Sequence, residues 1–195
     1  ASWRTSLAAY NLVQSQNPTL RVYHQCNFQE PEGFREFLAE GHRTGQGDAF
    51  NKIGPLKMFV DGSLGARTAA MRQPYQDDPT TCGLPTMTQE QLNEMLAIAA
   101  QHGCQVAIHA IGDGILDDIL DSYESVLKQY PRADHRHGVV HCQITRADQL
   151  QRMKDLQLHG YIQSIFLDYD NRIVRQRVGD MADTSYAFRT LKEQY

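Results

Sequence analysis

The sequence lacks most of the features that would mark a redox, nucleic-acid-binding or membrane protein. Its four cysteines, Cys26, Cys82, Cys104 and Cys142, are scattered over 195 residues without a C-x-x-C pair. That spacing suggests neither a zinc ribbon nor a secreted disulfide framework. Free thiols in a reducing, cytoplasmic compartment are the expectation. Basic excess is also missing: the formal net charge is −4, so neither nucleic acid nor an anionic membrane surface is implied as a partner. No apolar run is long enough to span a bilayer, and no signal-peptide pattern is visible. Ile111-Gly112-Asp113-Gly114 has neither G-x-G-x-x-G nor P-loop spacing, and Asp113 reads more simply as a helix N-cap. The chain begins ASWRTSL, without a methionine, and is shorter than the roughly 250 residues of a complete eight-unit barrel.

What is present is a 41% apolar composition, enough for one core, and a regular alternation of elements. Apolar positions over residues 2–16 follow helical spacing up to Asn17-Pro18, and the strand LRVYHQC comes next. Phe34, Phe37 and Leu38 mark a short helix, and Leu56 to Val60 a strand. A long connection with Pro74, Pro79, Gly83 and Pro85 follows, of a length that is usually functional or mobile. Thr88-Gln89-Glu90-Gln91 is a capping box opening a helix that Gly103 ends. QVAIHAIGD predicts a strand, with a helix from about Gly114 to Pro131. HRHGVVHCQ predicts another strand, Thr145 with Asp148 a cap for LQRMKDLQ, and HGYIQSIF a fifth strand. Five strands alternating with helices give an α/β class with a parallel sheet. A barrel and an open doubly wound sheet both fit this order.

In parallel α/β folds the chemistry gathers at the carboxyl ends of the strands, where successive loops converge. His109 and His141 lie late in consecutive apolar strands, and read either as core histidines or as metal ligands. Lys57 sits inside the apolar run LKMFV. A buried ammonium is costly unless paired or neutral, and a neutral amine can add carbon dioxide to become an anionic carbamate, a ligand that bridges two metals. The alternative is a lysine whose stem is buried while its charge reaches solvent or Asp61.

LKMFVDGSLGARTAAM, VAIHAIGDGILDDIL, HRHGVVHCQ and YIQSIFLDYD, in this order, resemble the signature blocks of the YtcJ-like branch of the amidohydrolase superfamily. This branch, amidohydrolase family 3, includes N-substituted formamide deformylases. The resemblance runs over nearly the whole chain and implies a metal-dependent hydrolase on a (β/α)8 TIM barrel. It implies that Lys57 is the carboxylated bridging lysine of the fourth barrel strand, and His109 and His141 the ligands of the fifth and sixth. These three would be the catalytic residues. The implied cofactor is one or two divalent ions, with zinc the expected species. The implied reaction is attack of a metal-activated hydroxide on a non-peptide C–N bond of a small-molecule amide or formamide.

The sequence also departs from the family pattern. No H-x-H pair fits the first barrel strand: His135-Arg136-His137 precedes the sixth, and His24-Gln25-Cys26 falls on the third. No aspartate-bearing eighth strand follows. The expectation is one catalytic-barrel segment over residues 1–195, a partial barrel of about five βα units covering strands three to seven. Such a segment would be inactive alone, would bind metal weakly or not at all, and would favour homo-oligomers through its open edges. Asp61 and Arg67 in the glycine-containing loop after Lys57, and Asp168, are candidate substrate contacts. A related phosphoesterase or deaminase, and a noncatalytic module with a degenerate metal site, are the alternative functions.

Overall fold

Five strands lie side by side in the order in which the chain makes them, β1 (Val22–Asn27), β2 (Asn51–Phe59), β3 (Val106–Ala110), β4 (Gly138–His141) and β5 (His159–Tyr161). All four neighbouring pairs are parallel. Each connection must therefore cross back over the sheet, and the helices α2 (Pro31–Ala39), α3 (Gln89–Gln101), α4 (Asp113–Gln129) and α5 (Ala147–Asp155) do this. A doubly wound sheet reverses its strand order at a switch point, whereas a barrel wall does not. The uninterrupted order makes this sheet a stretch of barrel wall, about five units of a (β/α)8 fold. The computed structural model describes residues 3–194.

Alternation along the strands decides which residues meet the helices. Leu56, Met58 and Val60 of β2 and its end, Val106, Ile108 and Ala110 of β3, and Val139 of β4 are buried in one core. Phe34, Phe37 and Leu38 of α2, Leu92, Met95 and Leu96 of α3, and Ile115, Ile119 and Tyr123 of α4 complete it. The intervening residues, Lys57, Ala107, His109 and Val140, belong to the other face by register. The opening helix α1 (Trp3–Gln16) buries none of its residues; Trp3 packs edge-on against Phe37, with ring centroids 5.1 Å apart. No described helix is long and apolar enough to cross a membrane.

The capping box at α3 forms as its sequence predicts: the Gln91 amide donates to Thr88 Oγ1 at 3.2 Å, and the Thr88 amide to Gln91 Oε1 at 2.9 Å. Three local expectations are corrected. Asp113 is the first residue of α4 rather than its cap, which is Gly112. The reason is space, because a Cβ at Gly112 would stand 2.1 Å from the Ala70 carbonyl oxygen. Arg146, not Thr145, caps α5; the Thr145 hydroxyl instead donates to Thr184 O at 2.7 Å, and Gln149 Oε1 takes the Arg146 amide at 3.0 Å. The fifth strand is only three residues long, and Ile165–Asp170 is a helix, α6. β5 pairs with β4 at three positions only, and after the irregular Ile162 and Gln163 the rest of HGYIQSIF turns into α6.

The chain ends in α6, α7 (Val174–Val178), a 3-10 turn (Gly179–Thr184) and α8 (Phe188–Gln194). Val174, Val178 and Tyr186 from this tail join Leu64, Ala69, Met71 and Tyr75 from the long β2–α3 connection, with Ile111 and Ile144 from the next two loops. All these loops follow strands, so this second core roofs the carboxyl end of the sheet. The connection over residues 60–88 is anchored by its own bonds, among them Met71 N to Cys82 O at 2.7 Å, Tyr75 Oη to Ala69 O at 2.8 Å and Ile115 N to Ala70 O at 3.0 Å.

Candidate metal centre

Lys57, His109 and His141 come from three adjacent strands; the two imidazoles touch, and Lys57 is near enough to bias His141 electrostatically. Lys57 pairs with Ala107, so it shares a face with His109 two residues on. His141 is different: it pairs with Ala110, and strict alternation would send it to the helix side. Its backbone is left-handed, with φ 74°, as is that of Cys142 with φ 50°. A side-chain-bearing residue there costs about 1–2 kcal/mol. The twist brings the His141 ring edge-on to His109, with centroids 4.5 Å apart.

The electrostatics of the three groups follow from burial. Lys57 is 6% exposed; its Nζ donates to Met58 O at 3.0 Å and sits 3.8 Å from the centre of the Phe59 ring. Burial pushes its pKa down to about 8, opposed by Asp61. His141 is pushed down to about 4 by burial, then by His109 and Lys57, against a side-chain hydrogen bond to Gln163. It is therefore neutral at pH 7, the form in which imidazole ligates metal.

His109 Nε2 lies 2.9 Å from Gly62 O and 3.0 Å from Asp61 Oδ1. The Nδ1 atoms of both His109 and His141 are buried and have no partner among the described residues. A buried nitrogen without a partner calls for explanation by an ion or another ligand. Among the described residues no group of three His, Cys, Asp or Glu is arranged to hold a metal ion. The fit to a divalent ion therefore rests on two imidazoles, with Lys57 as the third candidate donor.

The other sequence candidates lie differently. Asp61 is buried against backbone amides of two loops. Arg67, left-handed at φ 54°, binds Asp77 through Nε at 3.1 Å and Nη2 at 3.0 Å, and Arg177 binds the same carboxylate. Asp168 is exposed on α6. That helix instead contributes Phe166, edge-on to His141 with centroids 5.4 Å apart. Phe59, 5.3 Å from His109 ring to ring, was legible as the next residue on the face of Lys57. Phe166 and Gln163 lie in the YIQSIFLDYD block, but nothing in the block singled them out from Asp168, because only the fold of the tail brings them to His141. His135 and His137 stack on each other at 4.7 Å before β4 begins, at the opposite end of that strand from His141.

A family model described as the amidohydrolase family matches residues 5–194. The chain is similar to YtcJ of Bacillus subtilis (strain 168), whose name describes an amidohydrolase, with 34% identity over 142 residues, 72% of this chain and 26% of that protein. It is 31% identical over 103 residues to the N-substituted formamide deformylase of Arthrobacter pascens, covering 53% of this chain and 18% of that one. The crystal structure of an uncharacterized metal-dependent hydrolase from Pyrococcus horikoshii OT3 superposes with a TM-score of 0.81 at 34% identity, over 95% of this chain and 36% of that chain. The chain thus spans about a quarter of YtcJ and about a third of the solved hydrolase.

Proposed function

This chain belongs to the amidohydrolase family, and from that premise we propose that it is the metal-binding wall of a hydrolase that cleaves the C–N bond of a small amide or formamide. One observation carries the reading: two imidazoles in ring contact each keep a buried Nδ1 without a partner among the described residues, near a lysine of depressed pKa. The formamide class rests on the name of the Arthrobacter pascens relative.

Lys57, His109 and His141 would hold the ion. At a pKa of about 8, roughly a tenth of the Lys57 amine is neutral at pH 7. The neutral nitrogen adds to carbon dioxide, an N–C bond forms, and the displaced proton leaves to solvent, so the side chain becomes an anionic oxygen donor. His141, held neutral, and His109 complete the set with ring nitrogens. When bound, the ion supplies Lewis acidity toward a carbonyl and makes water a nucleophile at neutral pH. Phe59 and Phe166 flank the two imidazoles with apolar rings, Phe59 against His109 and Phe166 against His141.

The test is metal content and hydrolysis of N-substituted formamides by the full-length protein, beside its Lys57→Met variant. Methionine removes a buried cation, so the variant is expected to unfold at higher urea, by about 1 kcal/mol, while losing metal and activity together. A variant that keeps both metal and rate overturns the reading. Cleavage of phosphate esters or ring deamination, with amides untouched, assigns the site to one of those chemistries instead.

A further inference from the structure

Asp61 follows β2 by two residues, and its carboxylate has no exposed surface. Oδ2 accepts the amides of Ala70 at 3.0 Å and Gly112 at 2.8 Å; Oδ1 accepts the amide of Ile111 at 3.3 Å and lies 3.0 Å from His109 Nε2. The amides come from two different loops, so both oxygens are fixed, and charge-assisted bonds hold the group against rotation. The second neighbour of Nε2 is the Gly62 carbonyl, at 2.9 Å.

A carbonyl oxygen only accepts, and so does a carboxylate that takes three amide protons. His109 Nε2, placed between two acceptors, must therefore carry the ring proton. In a neutral imidazole the other nitrogen then presents a bare lone pair. That nitrogen is Nδ1, which is buried, without a partner among the described residues, and on the ring that meets His141.

We propose that Asp61 is a positioning residue: with Gly62 O it holds the proton of His109 on Nε2, so that Nδ1 is the donor His109 offers to the site. The inference rests on the metal reading only for the identity of what Nδ1 meets. It gives Asp61 a role other than direct contact with substrate. The carboxylate also ties the β2–α3 loop to the start of α4, so the same group that selects the tautomer fixes the ring beneath the roof.

The test is a two-bond proton–nitrogen correlation spectrum of the metal-free full-length protein, isotopically labelled on its imidazole nitrogens, with zinc affinity measured by titration calorimetry. The expected result is a proton on Nε2 of His109 and none on Nδ1. In Asp61→Asn one oxygen becomes an N–H donor. Gly62 O still accepts from Nε2, so the expected change is a larger share of the Nδ1-protonated form rather than its complete takeover, with zinc binding weakened about 10- to 100-fold. A wild-type proton on Nδ1 overturns the proposal, and that spectrum is decisive even if Asp61→Asn does not fold. So does a folded Asp61→Asn with unchanged tautomer and unchanged zinc affinity. Zinc taken up by neither protein, with the tautomer still shifting, supports the positioning role and overturns the metal reading instead.

Discussion

His109 and His141 meet edge to face, 4.5 Å between ring centroids, although strand register assigns them to opposite faces of the sheet. The left-handed backbone at His141 resolves the conflict. Strain of this kind persists only where surrounding structure holds it, and here the Cys142 amide bonds to Ala110 O at 3.1 Å and the Ile144 amide to Ile111 O at 3.0 Å.

That backbone predicts an inverted substitution order. Glycine within a strand is ordinarily less stable than alanine. At φ 74° alanine carries the left-handed cost and glycine does not. His141→Gly is expected to be more stable than His141→Ala by about 1 kcal/mol in urea unfolding. Alanine equal to glycine or better would show that position 141 is not left-handed in solution.

The crossing of the Ala70 segment over the start of α4 predicts a steric hierarchy among glycines. A Cβ at Gly112 would stand 2.1 Å from Ala70 O and 2.4 Å from Ala70 C, backbone atoms that cannot swing aside. At Gly160 the nearest atoms are side-chain carbons 3.8 Å away. Gly112→Ala is expected to lower stability by roughly 2 kcal/mol or more, and Gly160→Ala to change it little. Thermal melts of the two variants decide this, and equal melting points would mean the close crossing is absent.

His137 predicts an acid limb in the stability curve. It is buried, its Nδ1 accepts the Val106 amide at 3.1 Å, and burial pushes its pKa from 6.5 to about 3. The folded value lies below the unfolded one, so below pH 6.5 the unfolded chain holds the extra proton. Its stability contribution is complete above pH 6.5 and falls as the pH drops toward 3, by up to about 1.4 kcal/mol per pH unit. His137→Asn, whose amide oxygen can take the Val106 proton, is expected to flatten that limb when urea midpoints are compared across this range. An unchanged slope would place the titration elsewhere.

Much of the scaffold was legible from local pattern. The capping box at Thr88, the β-branched run of β3, and the apolar stripe of α3 are short-range properties, and each formed where its residues lie. The resemblance of four ordered blocks pointed to Lys57, His109 and His141; the structure puts the two imidazole rings in contact and Lys57 on the same sheet face as His109. The misread caps at Asp113 and Thr145 share one cause: a distant segment, Ala70 in one case and Thr184 in the other, occupies the place that local rules assume is free. Gln163 and Phe166 lie in a quoted block, yet their contact with His141 was not readable there, because it exists only once the tail has folded over the sheet.

By itself, then, the sequence determined the α/β alternation, the family, and the residue types that can ligate a metal, since composition, spacing and motif are properties of neighbours along the chain. Only the tertiary structure decided that the sheet is an unreversed barrel wall and that His141 turns to meet His109. It also decided that Asp61 faces His109 and two loops. Those outcomes depend on hydrogen bonds between segments tens of residues apart, whose partners no local window contains.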